Sequence, residues 1–168
     1  MAPRPVVLYP DPRLGLTAEP VTVWDDGLRT LAQDIVDTMG AVSAIGLTAA
    51  HIGVLRRVVV LRLDPAAGPR VFVNPEVAWA SDERASHVEG SVSMPGVTET
   101  VERPARVRVR YRDLEGAERE EEAQGFAAAC LLHEIDQLDG IFWLERLSRL
   151  RRDRALKRAA KLRRGTMP

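Results

Sequence analysis

Five consecutive residues, from His133 to Gln137, have the types and spacing of a metallohydrolase motif in which one member is changed. In the H-E-x-x-H motif, two histidines four residues apart lie on one face of a helix and bind zinc, and the glutamate acts on a metal-bound water. His133 and Glu134 keep the first two positions here, while Gln137 stands in place of the second histidine. Residues 126–138 are apolar enough to predict a buried helix, so the spacing of the motif is kept and one ligand type is lost.

A histidine beside a glutamate on a helix is more often a solvated or core pair than part of a metal site. Whether this motif belongs to a metallohydrolase site therefore depends on other segments of the chain. Residues 46–53 read GLTAAHIG and residues 89–95 read EGSVSMP. In this order they resemble the two signatures G-L-A-A-x-Q-x-G and E-G-C-L-S of the peptide deformylase family. Further segments match the family as well, and the resemblance spans nearly the whole chain: YPDPRL at 9–14, VNPE at 73–76, ERP at 102–104 and GIFWLERL at 140–147.

The resemblance implies three metal-ligand positions. The family binds its metal through the cysteine of the second signature and both histidines of the helix motif, and these positions are Ser91, His133 and Gln137 here. A neutral hydroxyl and an amide oxygen are weaker ligands for zinc or ferrous iron than a thiolate and an imidazole. We therefore expect no cofactor, or only a weakly bound divalent metal, which in the family is zinc or iron.

The resemblance also implies three catalytic positions. Glu134 takes the place of the general base, His51 that of the glutamine that binds the formyl oxygen, and Val92 that of the adjacent backbone donor. An imidazole can still donate a hydrogen bond to that oxygen. Two alternatives stay open: a rearranged metal site of His51, His133 and Gln137, and a Ser91 nucleophile with a histidine base. The ordinary alternative to a Ser91 nucleophile is that its hydroxyl is buried and hydrogen-bonded to its neighbours.

A pocket for the first side chain of the substrate follows from the same resemblance. Its implied wall consists of Ile45, Gly46, His87, Ala129 and Cys130, together with Val92. Each residue has an ordinary alternative: a rim position for His87, a small buried hydrophobe for Cys130, and core packing for the others.

Composition indicates one enzyme-sized domain over residues 1–168, because 168 residues with 45% hydrophobic content can bury a substantial core. Lysine plus arginine and aspartate plus glutamate both total 24, so overall charge points to neither a nucleic-acid nor a membrane partner. The single cysteine excludes an intrachain disulfide and fits a reducing cytosol. No signal-peptide pattern or membrane-length apolar run is present, so we expect a cytoplasmic protein with no membrane contact.

The charge distribution singles out residues 146–164, which contain ten basic residues and one acid, Asp153, on a predicted C-terminal helix. One interpretation is a solvated amphipathic cap, whose partial apolar stripe would be Leu147, Leu150, Leu156, Ala160 and Leu162. The other follows from the resemblance, since deformylase relatives can dock on the ribosome through such a tail, and a row of arginines suits phosphate contact.

Elsewhere the chain predicts helices and strands that are segregated in sequence. Apolar residues from 28 to 39 recur at helical spacing after Asp25 and Asp26 and stop at Gly40. We expect strands over 57–63, over 71–73 before Asn74-Pro75, over 105–112, and in a charged partner that follows. The predicted fold is α+β and deformylase-like, with antiparallel sheets that cradle the buried motif helix, an N-terminal amphipathic helix and a basic C-terminal helix.

Two functions from different classes follow. The first is an active amidohydrolase that removes the formyl group from N-terminal formylmethionine, or a related acyl group. The second is a pseudoenzyme that binds an N-terminal peptide, the ribosome or another partner without hydrolysis. Three changes in three separated motifs favour the second for the usual reaction, so we expect standard metal-dependent deformylation to be weak or lost.

Overall fold

The computed structural model describes residues 2–165 and has an α+β architecture. Its helices are α1 (Asp26–Ala41), α2 (Gly125–Leu138) and α3 (Arg149–Gly165), and short 3-10 turns cover Pro12–Gly15, Ala49–Ile52 and Trp143–Arg146. Its strands are β1 (Gly46–Thr48), β2 (Val58–Leu61), β3 (Arg70–Ala80), β4 (Arg84–Ser91), β5 (Met94–Pro104), β6 (Arg106–Arg112) and β7 (Glu118–Gln124).

Two antiparallel sheets enclose the motif helix α2. The larger sheet has the order β1-β2-β3-β6-β7, and the smaller one pairs β4 with β5. Leu131, Ile135 and Leu138 of α2 belong to one buried cluster with Phe72 and Val109 of the larger sheet. The second half of the helix is buried almost all round, since residues 134–138 are consecutively buried, and this positions its polar residues relative to β1 and β4.

Helix α1 has the predicted start and the predicted buried face. The Asp25 side chain accepts a hydrogen bond from Leu28 N at 3.0 Å, which caps the first turn. The helix buries four residues of the predicted stripe: Leu28, Ala32, Ile35 and Met39. Leu28, Ile35 and Met39 belong to a second hydrophobic cluster. It ends at Ala41, one residue beyond the predicted stop at Gly40.

Strand β3 is longer than the sequence predicts, and the expected end before Asn74-Pro75 is wrong. The strand continues to Ala80 because the pairing with β6 shifts register between Val73 and Glu76, which accommodates the proline in a bulge. Asn74 has a positive φ of 51°, and its side chain bonds both Val21 N and Val21 O at 2.8 Å. These bonds to the segment before α1 stabilise a backbone conformation that breaks regular strands.

The basic C-terminal helix begins at Arg149 and not at residue 146 as predicted. Residues up to Arg146 form a separate 3-10 turn, and Ser148 Oγ then accepts a hydrogen bond from Arg151 N at 3.4 Å near the start of α3. The predicted apolar stripe is also incorrect in part, because Leu150 is 69% exposed and Leu162 is 43% exposed. Small residues take their place, since Ala155 and Ala159 are the buried residues of α3.

Strand β7 lies at one edge of the larger sheet and is dominated by glutamates. Arginines of β6 pair with them across the strands: Arg108 with Glu122 at 3.1 Å, Arg110 with Glu120 at 2.7 Å and Arg112 with Glu118 at 2.6 Å. The alternation expected for residues 105–112 is thus present, with Val107 and Val109 buried opposite the arginines. Among residues 2–165, no helix has the length and apolar character that a membrane crossing requires.

Candidate functional site

An open cavity of about 890 Å³ lies between the N-terminal segment, β1, β4 and α2. Nearly all of the site residues predicted from the sequence line it: Ile45, Gly46, His51, His87, Ser91, Val92, Ala129, Cys130, His133 and Glu134. Gln137 is not among the lining residues. The fold therefore brings three distant segments together, while the roles assigned to their residues stay predictions.

His133 is held by a buried chain of charges. Its Nδ1 lies 2.8 Å from Glu89 Oε1, and Arg103 donates to both oxygens of the same carboxylate at 2.6 and 2.9 Å. Burial opposes ionisation of Glu89, but the hydrogen bonds from His133 and Arg103 outweigh it and lower the pKa of Glu89 to about 2. Burial likewise opposes a charge on His133, yet the bond to Glu89 and the nearby Glu134 raise its pKa. Because Glu89 accepts from Nδ1, the other ring nitrogen is left for the cavity.

Glu134 lies beside this chain but lacks its partners. Its side chain is buried, its Oε2 has no hydrogen-bond partner within residues 2–165, and burial raises its pKa to about 7. Gly46 makes room for it, since a Cβ atom at that position would lie 2.6 Å from Glu134 Oε1. A carboxyl group with a pKa near neutrality in a cavity has the properties of a general acid or base.

His51 is bound through one ring nitrogen to the turn that carries it. Thr48 N donates to His51 Nδ1 at 3.0 Å, and Thr48 Oγ1 lies 2.9 Å from the same nitrogen. Burial, with the charge of His133, lowers the pKa of His51 to about 3, so the imidazole is neutral. The 4.0 Å distance from its Nδ1 to Glu134 Oε2 is therefore not an ion pair.

Ser91 and Gln137, two of the three predicted ligand positions, differ in their surroundings. Ser91 follows a register shift at the end of β4, lines the cavity, and accepts a hydrogen bond from Ser93 N at 3.1 Å. Gln137 is buried and donates from Nε2 to the backbone oxygen of Leu14 at 2.8 Å, in the N-terminal 3-10 turn. Within residues 2–165, no three His, Cys, Asp or Glu side chains are grouped so as to hold a metal ion.

The remaining predicted pocket residues form its less polar part. Burial raises the pKa of the Cys130 thiol to about 12, so it stays protonated and acts as a small hydrophobe. His87 faces Phe126 with ring centroids 6.3 Å apart, and its Nε2 is buried with no partner in the described chain. Several exposed apolar side chains also border the cavity: Leu8, Val42, Ile45, Val88 and Phe126.

Sequence reasoning assigned no role to Thr48, Glu89 or Arg103. Thr48 holds the ring of His51, and Glu89 with Arg103 holds the ring of His133. The signal for Glu89 was its place within EGSVSMP, next to Gly90, and that for Arg103 was its place within ERP. No local pattern shows that these two charges are buried as a pair, because 14 residues separate them in sequence. Thr48 and His51 stand three residues apart, the spacing of a capping box, and that signal was present.

Comparisons with known proteins identify the same family along nearly the whole chain. The family model described as polypeptide deformylase matches residues 3–153. A peptide deformylase-like protein of Brucella melitensis is 61% identical over 164 residues, which cover 98% of this chain and 100% of that protein. A peptide deformylase of Phenylobacterium zucineum is 44% identical over 164 residues, covering 96% and 97% of the two chains.

Solved structures agree with this result. A peptide deformylase from Legionella pneumophila has a TM-score of 0.90 at 35% identity, covering 99% of this chain and all of that one. The peptide deformylase of Ehrlichia chaffeensis in complex with actinonin has a TM-score of 0.89 at 36% identity, covering 96% and 98%. The predicted α+β fold and the resemblance on which it rested are both confirmed.

Proposed function

Because this chain belongs to the polypeptide deformylase family, we propose that its cavity binds the N-formylmethionyl or other N-acyl terminus of a peptide, with metal-dependent deformylation weak or lost. The family acts on formyl-peptide substrates, which supports the ligand class. The observation that supports weak or lost deformylation is the position of Gln137, whose amide is bonded to Leu14 O and does not line the cavity.

The donor set does not fit a tightly bound catalytic metal. Of the three ligand positions, His133 offers the one strong donor that lines the cavity. Ser91 offers a neutral hydroxyl, and Gln137 would have to break its bond to Leu14 before its amide oxygen could serve. Zinc and ferrous iron prefer thiolate and imidazole donors, and these three positions supply only one such donor, the imidazole of His133.

Active hydrolysis is a second candidate, and one observation favours it. Glu134 is buried in the cavity with a pKa of about 7, which suits a general base at neutral pH. A Ser91 nucleophile has less support, because within residues 2–165 the hydrogen bond to Ser91 Oγ comes from Ser93 N and not from a histidine. An active chain would therefore rely on Glu134.

The decisive experiment measures metal content and hydrolysis of formyl-Met-Ala by the unmodified chain and by the triple variant Ser91→Cys, Gln137→His, His51→Gln. We expect little metal and little turnover from the first and a gain of both in the second. Glu134→Gln in the triple background is the matched control, since it keeps the ligands and removes the base. Stoichiometric metal with turnover in the unmodified chain would show that the proposal is wrong.

Binding is tested separately from hydrolysis. Calorimetric titration with formyl-Met-Ala in the presence of a chelator should show saturable binding to the unmodified chain, and Met-Ala should bind more weakly because it lacks the acyl oxygen. Equal binding of the two peptides would contradict an acyl-terminus site.

We also propose that the exposed basic face of α3 contacts the ribosome. Part of the charge is already used within the molecule, because Arg154 pairs with Glu99 at 2.7 Å and Arg151 donates to Thr100 O at 3.2 Å. The exposed cations Lys157, Lys161 and Arg164 lie on the same helix, where they are available to phosphate groups.

Charge substitution tests this contact better than removal of the helix, since Ala155 and Ala159 of α3 are part of a buried cluster. Replacing Lys157, Lys161 and Arg164 by glutamine should weaken co-sedimentation with ribosomes and lessen its salt dependence. The control removes three exposed arginines elsewhere: Arg29, Arg56 and Arg119. Equal loss in both variants would contradict a specific contact.

A further inference from the structure

We propose that Thr48 is a positioning residue that keeps His51 in the tautomer with its proton on Nε2, so that His51 donates a hydrogen bond to the acyl oxygen of a bound peptide and does not ligate a metal. The ligand part of this inference rests on the peptide-binding function proposed above. The tautomer itself is a property of the protein alone.

The tautomer follows from the contacts of Nδ1. Thr48 N lies 3.0 Å from His51 Nδ1, and a backbone N–H can only donate, so Nδ1 must be the acceptor and carries no proton. The hydroxyl of Thr48, at 2.9 Å, approaches the same nitrogen and donates to it. In a neutral imidazole whose Nδ1 accepts, the proton resides on Nε2.

The surrounding structure prevents the ring from leaving this arrangement. Thr48 ends β1 opposite Val59 and caps the 3-10 turn Ala49–Ile52, whose third residue is His51. His51 N in turn lies 3.4 Å from Thr48 Oγ1, so the two residues form a reciprocal capping box. Both side chains are almost fully buried, and Val7 N binds His51 O at 2.7 Å from the N-terminal segment. Burial also keeps the pKa of His51 far below neutrality, so the neutral form persists at physiological pH.

One ring nitrogen is thereby left for the cavity that His51 lines. Nε2–H is a donor without a charge, which suits the carbonyl oxygen of an uncharged acyl group. Metal ligation through Nε2 would require the proton to move to Nδ1, where it would face the N–H of Thr48 at 3.0 Å. Two buried donors would then oppose each other, which argues against the rearranged metal site of His51, His133 and Gln137.

Thr48 and His51 are also the two residues at which GLTAAHIG departs from G-L-A-A-x-Q-x-G. The structure places these two changes in direct contact. A glutamine at the position of His51 would also suit a capping box, because its amide oxygen can accept from residue 48 while its NH₂ donates to a ligand. The threonine–histidine pair therefore supplies the same combination of acceptor and donor by different atoms.

The first test is a nitrogen NMR spectrum of the ligand-free chain labelled with ¹⁵N-histidine, which distinguishes a protonated from an unprotonated ring nitrogen. We expect Nε2 of His51 to carry the proton and Nδ1 to be bare, with no titration of this ring between pH 6 and 8. A proton on Nδ1, or a titration in that range, would overturn the proposal without any use of peptide or variants.

The second test measures formyl-Met-Ala binding by variants whose unfolding midpoints are recorded. His51→Leu lacks both the acceptor for Thr48 N and the donor to the ligand, and should lose about tenfold or more in affinity, whereas His51→Gln should retain much of that affinity. Thr48→Val should weaken binding by about fivefold, and Thr48→Ser should restore it relative to valine. Equal binding by the unmodified chain and His51→Leu would refute the donor role, while no binding by the unmodified chain would refute the peptide-binding function instead.

Discussion

At the scale of single residues, the cavity contains two glutamates with opposite properties. Glu89 accepts hydrogen bonds from His133 and Arg103 and is held ionised, with a pKa of about 2. Glu134, also buried, has an oxygen with no partner in the described chain, and its pKa is about 7. Burial opposes ionisation of both groups, and of Glu134 more strongly because it lies deeper. The hydrogen bonds to Glu89 outweigh this effect, whereas Oε2 of Glu134 has no such bond in the described chain.

Glu134 makes the stability of the protein depend on pH. Its pKa in the folded chain is about 7 and its ordinary pKa is 4.5, so between these values the folded state holds a proton that the unfolded state has released. The contribution of Glu134 to stability is thus complete below pH 4.5 and is lost as pH rises through 7, by on the order of 3 kcal/mol. Glu89 has the opposite effect on stability, and at lower pH. Its pKa is lowered, so its contribution to stability is lost as pH falls from 4.5 toward 2.

Urea unfolding at pH 5 and pH 7.5 measures this effect. Glu134→Gln cannot ionise, so its free energy of unfolding should fall less between the two pH values than that of the unmodified chain. Parallel curves for the two proteins would mean that Glu134 titrates normally in the folded state.

The sequence predicted which residues meet at the cavity but not the direction of every side chain. His51, Ser91, His133 and Glu134 lie in motifs with characteristic spacing, and they line one cavity as expected. Gln137 occupies a motif position too, but its bond to Leu14 O joins residues 123 apart. Which acceptor a buried amide finds depends on the packing of distant segments, and the helical pattern carries no information on that.

At the scale of elements, Gln137 connects the motif helix α2 to the N-terminal 3-10 turn Pro12–Gly15. The contact is buried, and Ala18 N adds a backbone bond to Leu138 O at 2.8 Å nearby. The amide of Gln137 thus attaches the motif helix to the N-terminal turn.

Replacing Gln137 with methionine, which has similar length but no donor, should leave Leu14 O buried and unpaired and lower the free energy of unfolding by about 1–3 kcal/mol. Gln33→Met is the matched control, because Gln33 is on the exposed side of α1 and donates to Asp37 at 2.7 Å. We expect that control to change stability by less than about 0.5 kcal/mol. A loss at Gln137 no larger than at Gln33 would contradict a structural role for the amide.

Element prediction was most successful where the pattern is local. The start of α1 follows from the capping Asp25, and the alternation in β6 follows from valines between arginines. The length of β3 was wrong because Pro75 is a strong local signal for a strand end, and only the side-chain bonds from Asn74 to Val21 allow the strand to continue. Such compensation is tertiary and has no signature in the strand itself.

At the scale of the whole molecule, one buried ionic chain crosses three parts of the fold. From His133 it runs through Glu89 of β4 and Arg103 of β5 to Asp136 of α2, which also accepts from Arg146 at 2.7 and 2.8 Å. The guanidinium of Arg103 therefore couples the small sheet to the motif helix, and that of Arg146 couples the motif helix to the segment before α3.

Arg103→Met should destabilise the fold by about 3–5 kcal/mol, because it leaves two buried carboxylates, Glu89 and Asp136, without that partner. Arg106→Met is the control, since Arg106 lies 3.9 Å from Glu83 with both side chains more than half exposed. That pair should contribute within about 0.5 kcal/mol. Guanidinium chloride unfolding of both variants measures the difference, and similar midpoints would show that the buried network is not required for stability.

The cross-strand pairs on β6 and β7 also bear on how the molecule behaves in a crowded solution. An edge strand has free backbone groups that can recruit the same edge of a neighbouring copy. If two copies of β7 paired along this edge, however, the glutamates at 118, 120, 121 and 122 of one copy would face those of the other. Like charges on facing strands are destabilising. Strand β7 thus carries its own protection against edge-to-edge aggregation, although its backbone remains open along one side.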